Sequence, residues 1–465
     1  MRAFSKKSSY VLIILMITAL LLTGTVPSFA AKTKNTYTTP EGTVYPKLET
    51  SQPESLAGLK ATSAILIDGG SGQVLYEKNA EAVKDPASIT KIMTCLLTLE
   101  NKDMDDEITI DFQTTTEGHN LALKQGEVLT VRDLLHALML YSCNDAAEVL
   151  AAAVGGDIDS FAEMMNERAK ECGAKNTTFA NPNGLNPEGK PHNQTTAYDI
   201  AMMAREAMKN PEFRKLVKTR SYTIPKTNMS EQRKEMKSTN ACLGTYKGAN
   251  GIKTGTSTTA GFCFCGSAKR GNTELIAVAL DSGDKLRFSD AEAMMDYGFQ
   301  TYHTYTVEKG GKELDQIRVR RGDLRSSAVG TAEDLDLTLL KKEKGEGITT
   351  EITLTDKKLT APIKKGTEAG TITVYDKDHN QLAEAKLVTL ENVKKGGILS
   401  YIGVADEDRG IFIGGLILMA ILIAAILILW KRMQRKKRAR RRAQRTRAIR
   451  RRAREREKDP FNRNV

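Results

Sequence analysis

The chain has 465 residues, of which 27% are charged and 40% are hydrophobic, and this composition excludes a mostly disordered or collagen-like protein. Its formal net charge is +12, but residues 431–465 alone carry +15 and residues 1–30 carry +3. Residues 31–430 therefore carry −6, which argues against a polyanion-binding body, and no nucleic-acid partner is expected.

The first 30 residues have the pattern of a secretory signal peptide. Basic residues precede an apolar run over residues 10–22, and Ser28 and Ala30 have the spacing of a signal-peptidase site. We therefore expect residues 1–30 to be cleaved on export. Residues 31–56 are polar and contain prolines, which predicts a spacer.

Residues 57–304 combine strand-like and helix-like patterns. Runs at 61–68 and 73–78 flank a glycine-rich turn, which is typical of a hairpin. Thr130 and Asp133 have the spacing of a capping box. Further patterns predict strands at 261–268 and 274–280 and helices at 89–97, 134–141, 161–172, 196–208 and 291–299. The mixture predicts an α+β fold with an antiparallel sheet flanked by helices.

The composition changes near Tyr305, after which short alternating strands are separated by turns rich in glycine and lysine. These strands are predicted at residues 316–319, 335–339, 349–355, 370–375 and 383–390. Residues 305–395 are therefore predicted to form a small all-β domain, which residues 396–410 link to the next segment.

Residues 411–430 form an uncharged apolar stretch of 20 residues. At a rise of about 1.5 Å per residue, a transmembrane helix of this length spans the roughly 30 Å hydrocarbon core of a bilayer. Basic residues follow at once, so the positive-inside rule places the tail, residues 431–465, in the cytoplasm. We expect a single-pass protein of the cell membrane. The domains that precede the membrane span are expected to be extracytoplasmic.

Six cysteines lie in the part of the chain predicted to be exported, at positions 95, 143, 172, 242, 263 and 265. Their spacing defines neither a disulfide framework nor the paired ligands of a zinc site. The sequence favours small buried apolar side chains. No metal or cofactor is expected.

Ser88 and Lys91 lie three positions apart at the start of a predicted helix, so their side chains share a face. A serine hydroxyl becomes a strong nucleophile when a neighbouring base takes its proton. A lysine can be that base if burial and nearby cations lower its pKa. The alternative is a solvated helix face, because this spacing is common by chance.

Two further motifs suit the same chemistry. Ser142-Cys143-Asn144 follows an apolar helix and offers a hydroxyl for proton relay and an amide for a substrate carbonyl. Lys253-Thr254-Gly255-Thr256 precedes a strand-like run, and a cation and a hydroxyl on an edge strand suit a substrate carboxylate. Gly255 lets a ligand backbone approach closely. Alone, each motif is also typical of an ordinary turn.

In this order, the three motifs resemble the S-x-x-K, S-x-N and K-T-G elements of the penicillin-binding proteins and serine β-lactamases. Other segments are similar to the low-molecular-weight D-alanyl-D-alanine carboxypeptidases: Pro86–Lys91, Gly126-Glu127, Thr130–Leu135, Ser142–Ala147, Asn181–Leu185, Thr195–Asp199 and Gly251–Gly255. The resemblance covers roughly residues 55–300, and a weaker one continues through the β domain, where Ala361–Gly366 is similar to that family's C-terminal module.

The resemblance implies a role for each residue of the acyl transfer. Ser88 attacks the carbonyl between two terminal D-alanines, and Lys91 is its general base. Ser142, helped by Lys253, passes the proton toward the leaving amine. The backbone N–H groups of Ser88 and Thr256 form the oxyanion hole, and water hydrolyses the acyl-enzyme.

The resemblance also implies substrate-binding residues. Asn144 holds the substrate amide, and Thr254 binds the terminal carboxylate, within a motif completed by Gly255 and Thr256. Arg287 stands where the family often places a carboxylate-binding arginine, although a surface arginine in a salt bridge is an equal alternative. Penicillins are expected to acylate the serine, because their ring amide mimics the D-Ala-D-Ala bond.

Two departures from the family pattern stand out. Cys143 occupies a position where Gly or Asp is more usual, and residues 411–430 form a full apolar span where the family often has an amphipathic helix. A serine β-lactamase is an alternative, but Glu163–Asn166 has the wrong spacing for the deacylating E-x-x-x-N element. A catalytically idle, membrane-tethered wall-binding scaffold is another, but it would not need all three motifs. The sequence favours a carboxypeptidase that trims peptidoglycan stem peptides.

Overall fold

The computed structural model of the chain describes residues 36–48, 52–114, 116–186, 188–233, 235–343, 345–355 and 358–457. The predicted signal peptide lies outside these residues. The described chain forms two compact units. The first contains the chain up to Val307 with Asp334–Glu351 and Thr373–Ala385, and the second contains Glu308–Glu333, Ile352–Ile372 and the chain from Lys386 onward.

The first unit is built on a five-stranded antiparallel sheet. The strands up to residue 282 are β1 (Thr36–Thr38), β2 (Val44–Pro46), β3 (Ser63–Asp68), β4 (Val74–Lys78), β5 (Glu107–Thr109), β6 (Val128–Thr130), β7 (Ser221–Tyr222), β8 (Met236–Lys237), β9 (Ala249–Ser257), β10 (Gly261–Arg270) and β11 (Thr273–Ser282). The sheet order is β4-β3-β11-β10-β9, so β9 is an edge strand. The motif Lys253–Thr256 therefore lies on an edge, as expected.

Helices surround this sheet, in agreement with the α+β prediction. They are α1 (Lys91–Asn101), α2 (Val131–His136), α3 (Asn144–Gly155), α4 (Ile158–Glu171), α5 (Ala197–Ala207), α6 (Pro211–Lys218) and α7 (Leu286–Thr301). The predicted capping box is present, because Thr130 and Asp133 each accept a hydrogen bond from the other's backbone N–H. Side chains of Asp157, Thr196 and Asn210 cap α4, α5 and α6 in the same physical manner.

Both faces of the sheet are covered. All six residues of β3 are buried, which is the pattern of a strand with packing on two sides. Leu66, Leu275 and Ala277 of the sheet form one apolar cluster with Ala291 and Met294 of α7. Helix α5 also packs on β3 and β11. Two short strands, β1 and β2, lie within the predicted spacer, where Tyr37 and Tyr45 are buried.

The regular elements among the described residues 302–389 are all strands, which confirms the predicted all-β character. They are β12 (Tyr302–Glu308), β13 (Asp315–Arg320), β14 (Ser326–Gly330), β15 (Leu335–Leu340), β16 (Thr349–Leu354), β17 (Leu359–Thr360), β18 (Glu368–Tyr375) and β19 (Gln381–Thr389). In the second unit, β13 pairs antiparallel with β14 and parallel with β17. The sequence pattern did not predict β12, β14 or β17.

One helix, α8 (Arg409–Glu457), contains both the apolar stretch and the described part of the basic tail. Its most apolar window has a mean hydropathy of 3.1, and its apolar side chains are exposed. By length and composition it is a candidate membrane span.

A glycine fixes the turn that carries Ser88. Gly184 has φ of +84°, and a Cβ there would overlap the backbone carbonyl oxygen of Ala87 and lie 2.9 Å from Thr90 Oγ1. The loop around Gly184 therefore lies directly against the turn. The buried side chain of Asn193 adds a second tie, because its Nδ2 donates to Thr90 Oγ1 over 3.0 Å.

We expect Gly184→Ala to lower the thermal unfolding midpoint by at least about 5 °C more than Gly189→Ala does. Both glycines have positive φ, but a Cβ at Gly189 meets no atom within 4 Å. The Gly189→Ala control therefore introduces only the strain of an alanine at positive φ. Gly184→Ala adds a steric clash with the neighbouring backbone, which costs about 2 kcal/mol or more. Near-ultraviolet circular dichroism of the full chain in detergent measures both midpoints. Equal midpoints would show that the close contact at Gly184 does not constrain the turn.

Candidate active site

Ser88 and Lys91 meet at the start of α1. Ser88 lies in a 3₁₀ turn over Ala87–Thr90, and Lys91 is the first residue of the helix. Lys91 Nζ lies 2.9 Å from Ser88 Oγ, as the three-residue spacing predicts. The serine is partly exposed while the lysine is completely buried, so a ligand can reach the hydroxyl but not the amine.

The hydrogen-bond partners of Lys91 can accommodate a neutral amine. Besides Ser88 Oγ, its Nζ lies 2.7 Å from Asn144 Oδ1 and 2.7 Å from the backbone oxygen of Asn183, and both of these atoms are acceptors only. A neutral amine has two N–H donors and one lone pair. It can therefore donate to both carbonyl oxygens and accept the Ser88 hydroxyl proton with its lone pair. This is the geometry that a general base requires.

Burial sets the protonation of the two buried lysines. Burial lowers the pKa of Lys91 well below its ordinary value, and the nearby charge of Lys253 lowers it further. Burial also lowers the pKa of Lys253 to about 7, with a contribution from the Arg287 guanidinium. The site therefore holds three basic side chains, and repulsion between their positive charges favours loss of a proton from the lysines.

The second motif connects two helical segments. Residues Ala137–Tyr141 form a π-helical turn that ends at Ser142, whose backbone is left-handed with φ of 64°. Asn144 begins α3, and its Nδ2 donates to the backbone oxygen of Glu117 over 2.6 Å while its Oδ1 accepts from Lys91. The amide is thus fixed in a single orientation.

Cys143, the unusual residue of this motif, has a buried thiol. Burial raises its pKa to about 12, so the thiol stays protonated and inert at neutral pH. All six cysteines are free and buried, which agrees with their prediction as small apolar side chains.

The third motif packs its strand against the Ser88 turn. A Cβ on Gly255 would lie 2.9 Å from the backbone oxygen of Pro86 and 3.1 Å from Ile89 Cγ1, so only a glycine allows this approach. Lys253 is 1% exposed, and its Nζ donates to the backbone oxygen of Thr254 over 3.0 Å. Lys253 is thus a second buried lysine, and it lies on the strand that packs against the Ser88 turn.

Two polar groups complete the edge of β9. Thr254 Oγ1 lies 2.6 Å from Thr239 Oγ1, a partner that sequence reasoning did not identify. Arg287 Nη1 donates to the backbone oxygen of Gly255 over 3.1 Å and to Thr256 Oγ1 over 2.8 Å. The Arg287 guanidinium therefore contributes its charge to the site, and the residue is only 9% exposed.

Arg287 is held by aromatic packing as well as by hydrogen bonds. Its guanidinium carbon lies 5.3 Å from the centre of the Phe262 ring and 4.9 Å from that of Phe288. Its Nε is buried and has no hydrogen-bond partner among the described residues. The Asp284 carboxylate is 3.8 Å away. A cation is thus presented beside the exposed Thr256 hydroxyl.

The structure brings the three predicted motifs together around Ser88. Sequence reasoning did not assign a site role to Asn183 or Glu117, because both act through backbone oxygens that carry no side-chain signal. The only sequence signal for Asn183 is its place in the Asn181–Leu185 segment, where Gly184 marks a tight turn.

Comparison with known proteins gives two family matches. A family model described as D-alanyl-D-alanine carboxypeptidase matches residues 48–284. A second, described as the C-terminal domain of penicillin-binding protein 5, matches residues 302–395. Together they cover the α+β part and the β-rich part of the chain but not α8.

Individual relatives extend over most of the chain. It is 35% identical over 350 residues to D-alanyl-D-alanine carboxypeptidase DacF of Bacillus subtilis, covering 74% of this chain and 88% of the relative. It is 32% identical over 356 residues to D-alanyl-D-alanine carboxypeptidase DacC of Escherichia coli, covering 74% and 86%. The crystal structure of penicillin binding protein 5 from Haemophilus influenzae matches with a TM-score of 0.58 and 26% identity, covering 74% of this chain and 99% of that structure.

We expect Lys91 and Lys253 each to add a positive contribution to the slope of the free energy of unfolding against pH between about pH 7.5 and 9.5, while the six buried thiols, whose pKa values are raised, contribute with the opposite sign. Lysines with lowered native pKa values are neutral in the folded chain in this window, whereas the unfolded chain binds their protons, so rising pH favours folding. Lys91→Met and Lys253→Met should each reduce the slope, by up to about 1.4 kcal/mol per pH unit.

The exposed Lys170 of α4 supplies the matched control, and Lys170→Met should keep the wild-type slope. Urea titrations of the full chain at several pH values, followed by near-ultraviolet circular dichroism, give the slopes. If the Lys91→Met and Lys253→Met slopes equal that of Lys170→Met, the buried lysines keep ordinary pKa values and the site's electrostatics are wrong.

Proposed function

Because the chain belongs to the D-alanyl-D-alanine carboxypeptidase family of serine peptidases, we propose that Ser88 is the nucleophile of its reaction. The chain is a penicillin-binding serine carboxypeptidase that removes the terminal D-alanine of peptidoglycan stem peptides. The observation that carries the assignment of Ser88 is the 2.9 Å approach of its Oγ to a buried lysine with two acceptor-only partners.

Acylation begins with a proton transfer from Ser88 Oγ to Lys91 Nζ. The oxygen forms a bond to the carbonyl carbon of the penultimate D-alanine, and the carbonyl oxygen takes up negative charge. The backbone N–H groups of Ser88 and Thr256 are proposed to stabilise this oxyanion. The carbon–nitrogen bond then breaks as the nitrogen receives a proton through Ser142, and D-alanine leaves. Water hydrolyses the resulting ester and restores Ser88.

The cations beside β9 suit the leaving D-alanine, whose carboxylate is negatively charged. Thr254 and Thr256 offer hydroxyls, and the Arg287 guanidinium, together with Lys253 when it is protonated, supplies positive charge close by. Arg287 donates to Thr256 Oγ1 over 2.8 Å, and the Thr256 hydroxyl donates to the backbone oxygen of Gly255 over 2.8 Å, so this hydroxyl would have to turn from Gly255 to donate to the proposed carboxylate. Gly255 leaves room for the substrate backbone beside the strand.

Asn144 has two proposed tasks. Its Oδ1 accepts from Lys91 and so holds the base toward Ser88. Its Nδ2 has a second N–H beyond the one donated to Glu117, and this group is proposed to bind the substrate amide.

β-Lactams are proposed to acylate the same serine, since their ring amide takes the place of the D-Ala-D-Ala bond. The β-lactamase alternative needs a base that activates the deacylating water. Glu163 and Asn166, whose spacing already argues against that role, lie on the regular helix α4, and Asn166 Nδ2 donates to the backbone oxygen of Phe179. A catalytically idle scaffold would not require the contact between Ser88 and Lys91.

We also propose the topology of the chain and its domain boundaries. The candidate span α8 supports residues 411–430 as the anchor, and the basic residues that follow support a cytoplasmic tail at 431–465. The two family matches support a catalytic domain at 57–304 and a β-rich domain at 305–395. Stem peptides outside the membrane are then within reach of Ser88.

We expect Ser88→Ala to reduce D-alanine release from a peptide ending in D-Ala-D-Ala by at least about a thousandfold, because no other group can form the ester. Covalent labelling by a fluorescent penicillin should disappear as well. The matched control is Ser289→Ala, which removes an exposed hydroxyl from α7 and should keep both signals. The full chain in detergent is assayed for both readouts.

The outcomes separate the three candidate functions. D-alanine release and a long-lived label that both depend on Ser88 establish the carboxypeptidase mechanism. Rapid penicillin turnover without D-alanine release would contradict it in favour of a β-lactamase. Absence of both signals in the wild-type chain would leave the scaffold as the function.

A further inference from the structure

A second cavity, of about 730 Å³, lies in the second unit, on the β-rich part of the chain. Five basic side chains line it, and we call it the cationic pocket: Arg318, Arg320, Arg321, Arg325 and Lys358. Among the lining residues that the structure describes, none is acidic and none belongs to the candidate active site.

Strand pairing places these charges close together. The burial of β13 alternates, and Arg318 and Arg320 both lie on its exposed side. Strand β17 runs parallel beside β13 and pairs Thr360 with Arg320, and Lys358 precedes Thr360 by two positions. Arg325 comes directly before β14, the other neighbour of β13. Like charges on neighbouring strands repel, so this face is unfavourable until an anion neutralises it.

The basic side chains of the cationic pocket have no counter-ion on the protein. None of them forms an ion pair among the described residues. Two carboxylates on the adjoining loops are held by backbone groups: Asp323 accepts from the N–H groups of Leu324 and Lys394, and Glu407 accepts from that of Arg325 over 2.6 Å. The guanidinium groups are therefore available, and guanidinium binds phosphate through paired N–H donors.

An apolar wall borders the cationic pocket. A 3₁₀ helix over Ile398–Ile402 supplies it, and the centre of the Tyr401 ring lies 5.1 Å from the guanidinium carbon of Arg321. Ile398 is 89% exposed and Ile402 is 69% exposed. Large exposed apolar side chains beside basic ones are typical of a surface that meets a lipid bilayer.

This wall is close to the candidate membrane span along the chain. Ala405 lines the pocket and precedes Ile411, the first residue of the apolar stretch, by six residues. Six residues extend over at most about 20 Å, and over about 9 Å where they are helical. Helix α8 begins within this interval, at Arg409. If α8 spans the membrane, the pocket is within reach of the lipid headgroups.

We infer that the cationic pocket binds the phosphate of an anionic phospholipid, in the leaflet on the side of the β-rich part of the chain. Ile398, Tyr401 and Ile402 then contact the upper part of the acyl chains. Phosphatidylglycerol brings a net negative charge to the pocket, whereas the quaternary ammonium of phosphatidylcholine is repelled by the arginines. A soluble phosphate ester shares the phosphate but has no chain for the isoleucines. The inference requires the membrane span and does not depend on the peptidase reaction.

Selective quenching in lipid nanodiscs tests this inference with the full chain. The reporter chain carries Tyr401→Trp and Trp430→Phe, which move its only indole to the pocket wall. All discs contain phosphatidylcholine with about 30% phosphatidylglycerol, and brominated acyl chains, which quench indole on contact, are placed either on the phosphatidylglycerol or on an equal amount of phosphatidylcholine. We expect brominated phosphatidylglycerol to quench about twofold or more strongly than brominated phosphatidylcholine.

Two double variants of the reporter chain locate the preference. Arg318→Gln with Arg320→Gln should bring the ratio of the two quenching values close to one, because it removes neighbouring charges of the pocket. The matched control is Lys364→Gln with Lys365→Gln, which removes two exposed charges of the same unit that do not line the pocket, and it should keep the ratio. Near-ultraviolet circular dichroism verifies that each variant is folded.

Three results would overturn the inference: a ratio of one in the reporter chain, no quenching by either lipid, or a ratio that the arginine variant leaves unchanged. Adding sn-glycerol 3-phosphate at about 10 mM, against chloride of equal ionic strength, separates the two sources of phosphate. A ratio that persists supports the lipid, and one that falls to one only with the ester would assign the pocket to a soluble phosphate instead. D-alanine release is measured apart from quenching, so these failures leave the proposed function standing.

Discussion

The burial of the Lys91 amine against Ser88 is the constraint on which the rest of the site depends. A lysine in water is protonated and cannot take a proton from serine. Here burial removes that obstacle by lowering the pKa of Lys91, and two carbonyl oxygens orient the amine so that its lone pair faces the hydroxyl. The close contacts at Gly184 and Gly255 follow from this requirement, because they seal the turn from two sides.

The same low-dielectric environment couples the charges of the site. The charge of Lys253 lowers the pKa of Lys91, and the charge of Arg287 lowers the pKa of Lys253. Loss of a proton from one lysine therefore reduces the electrostatic cost of burying the positive charge that remains. The sheet edge makes this arrangement possible. On β9 the Lys253 side chain reaches the buried side, while Thr256 remains exposed for a substrate. The positive charge beside β9 matches a peptide with a C-terminal carboxylate.

Much of this could be predicted from the sequence, because the chemistry is carried by side chains at fixed spacing. The Ser88–Lys91 contact follows from helix geometry, and an edge strand was expected for Lys253–Thr256 because a cation and a hydroxyl at a sheet edge suit a substrate carboxylate. The backbone oxygens of Asn183 and Glu117 could not be predicted, since any residue offers the same group. Strand β14, Ser326–Gly330, was missed because its small and polar residues show no clear alternation. Arg287 of α7 packs against the ring of Phe262 on β10, and no sequence pattern shows that these two elements meet.

The most direct test of the account is the pH dependence of the rate at which a fluorescent penicillin acylates the full chain. The measurement reports the protonation of the base in the free enzyme, without product release or deacylation. The account predicts a rate that rises with pH and reaches its plateau well below about 10.4, the ordinary pKa of a lysine. A rate that rises only near pH 10 would contradict it, because Lys91 would then be an ordinary protonated lysine at neutral pH.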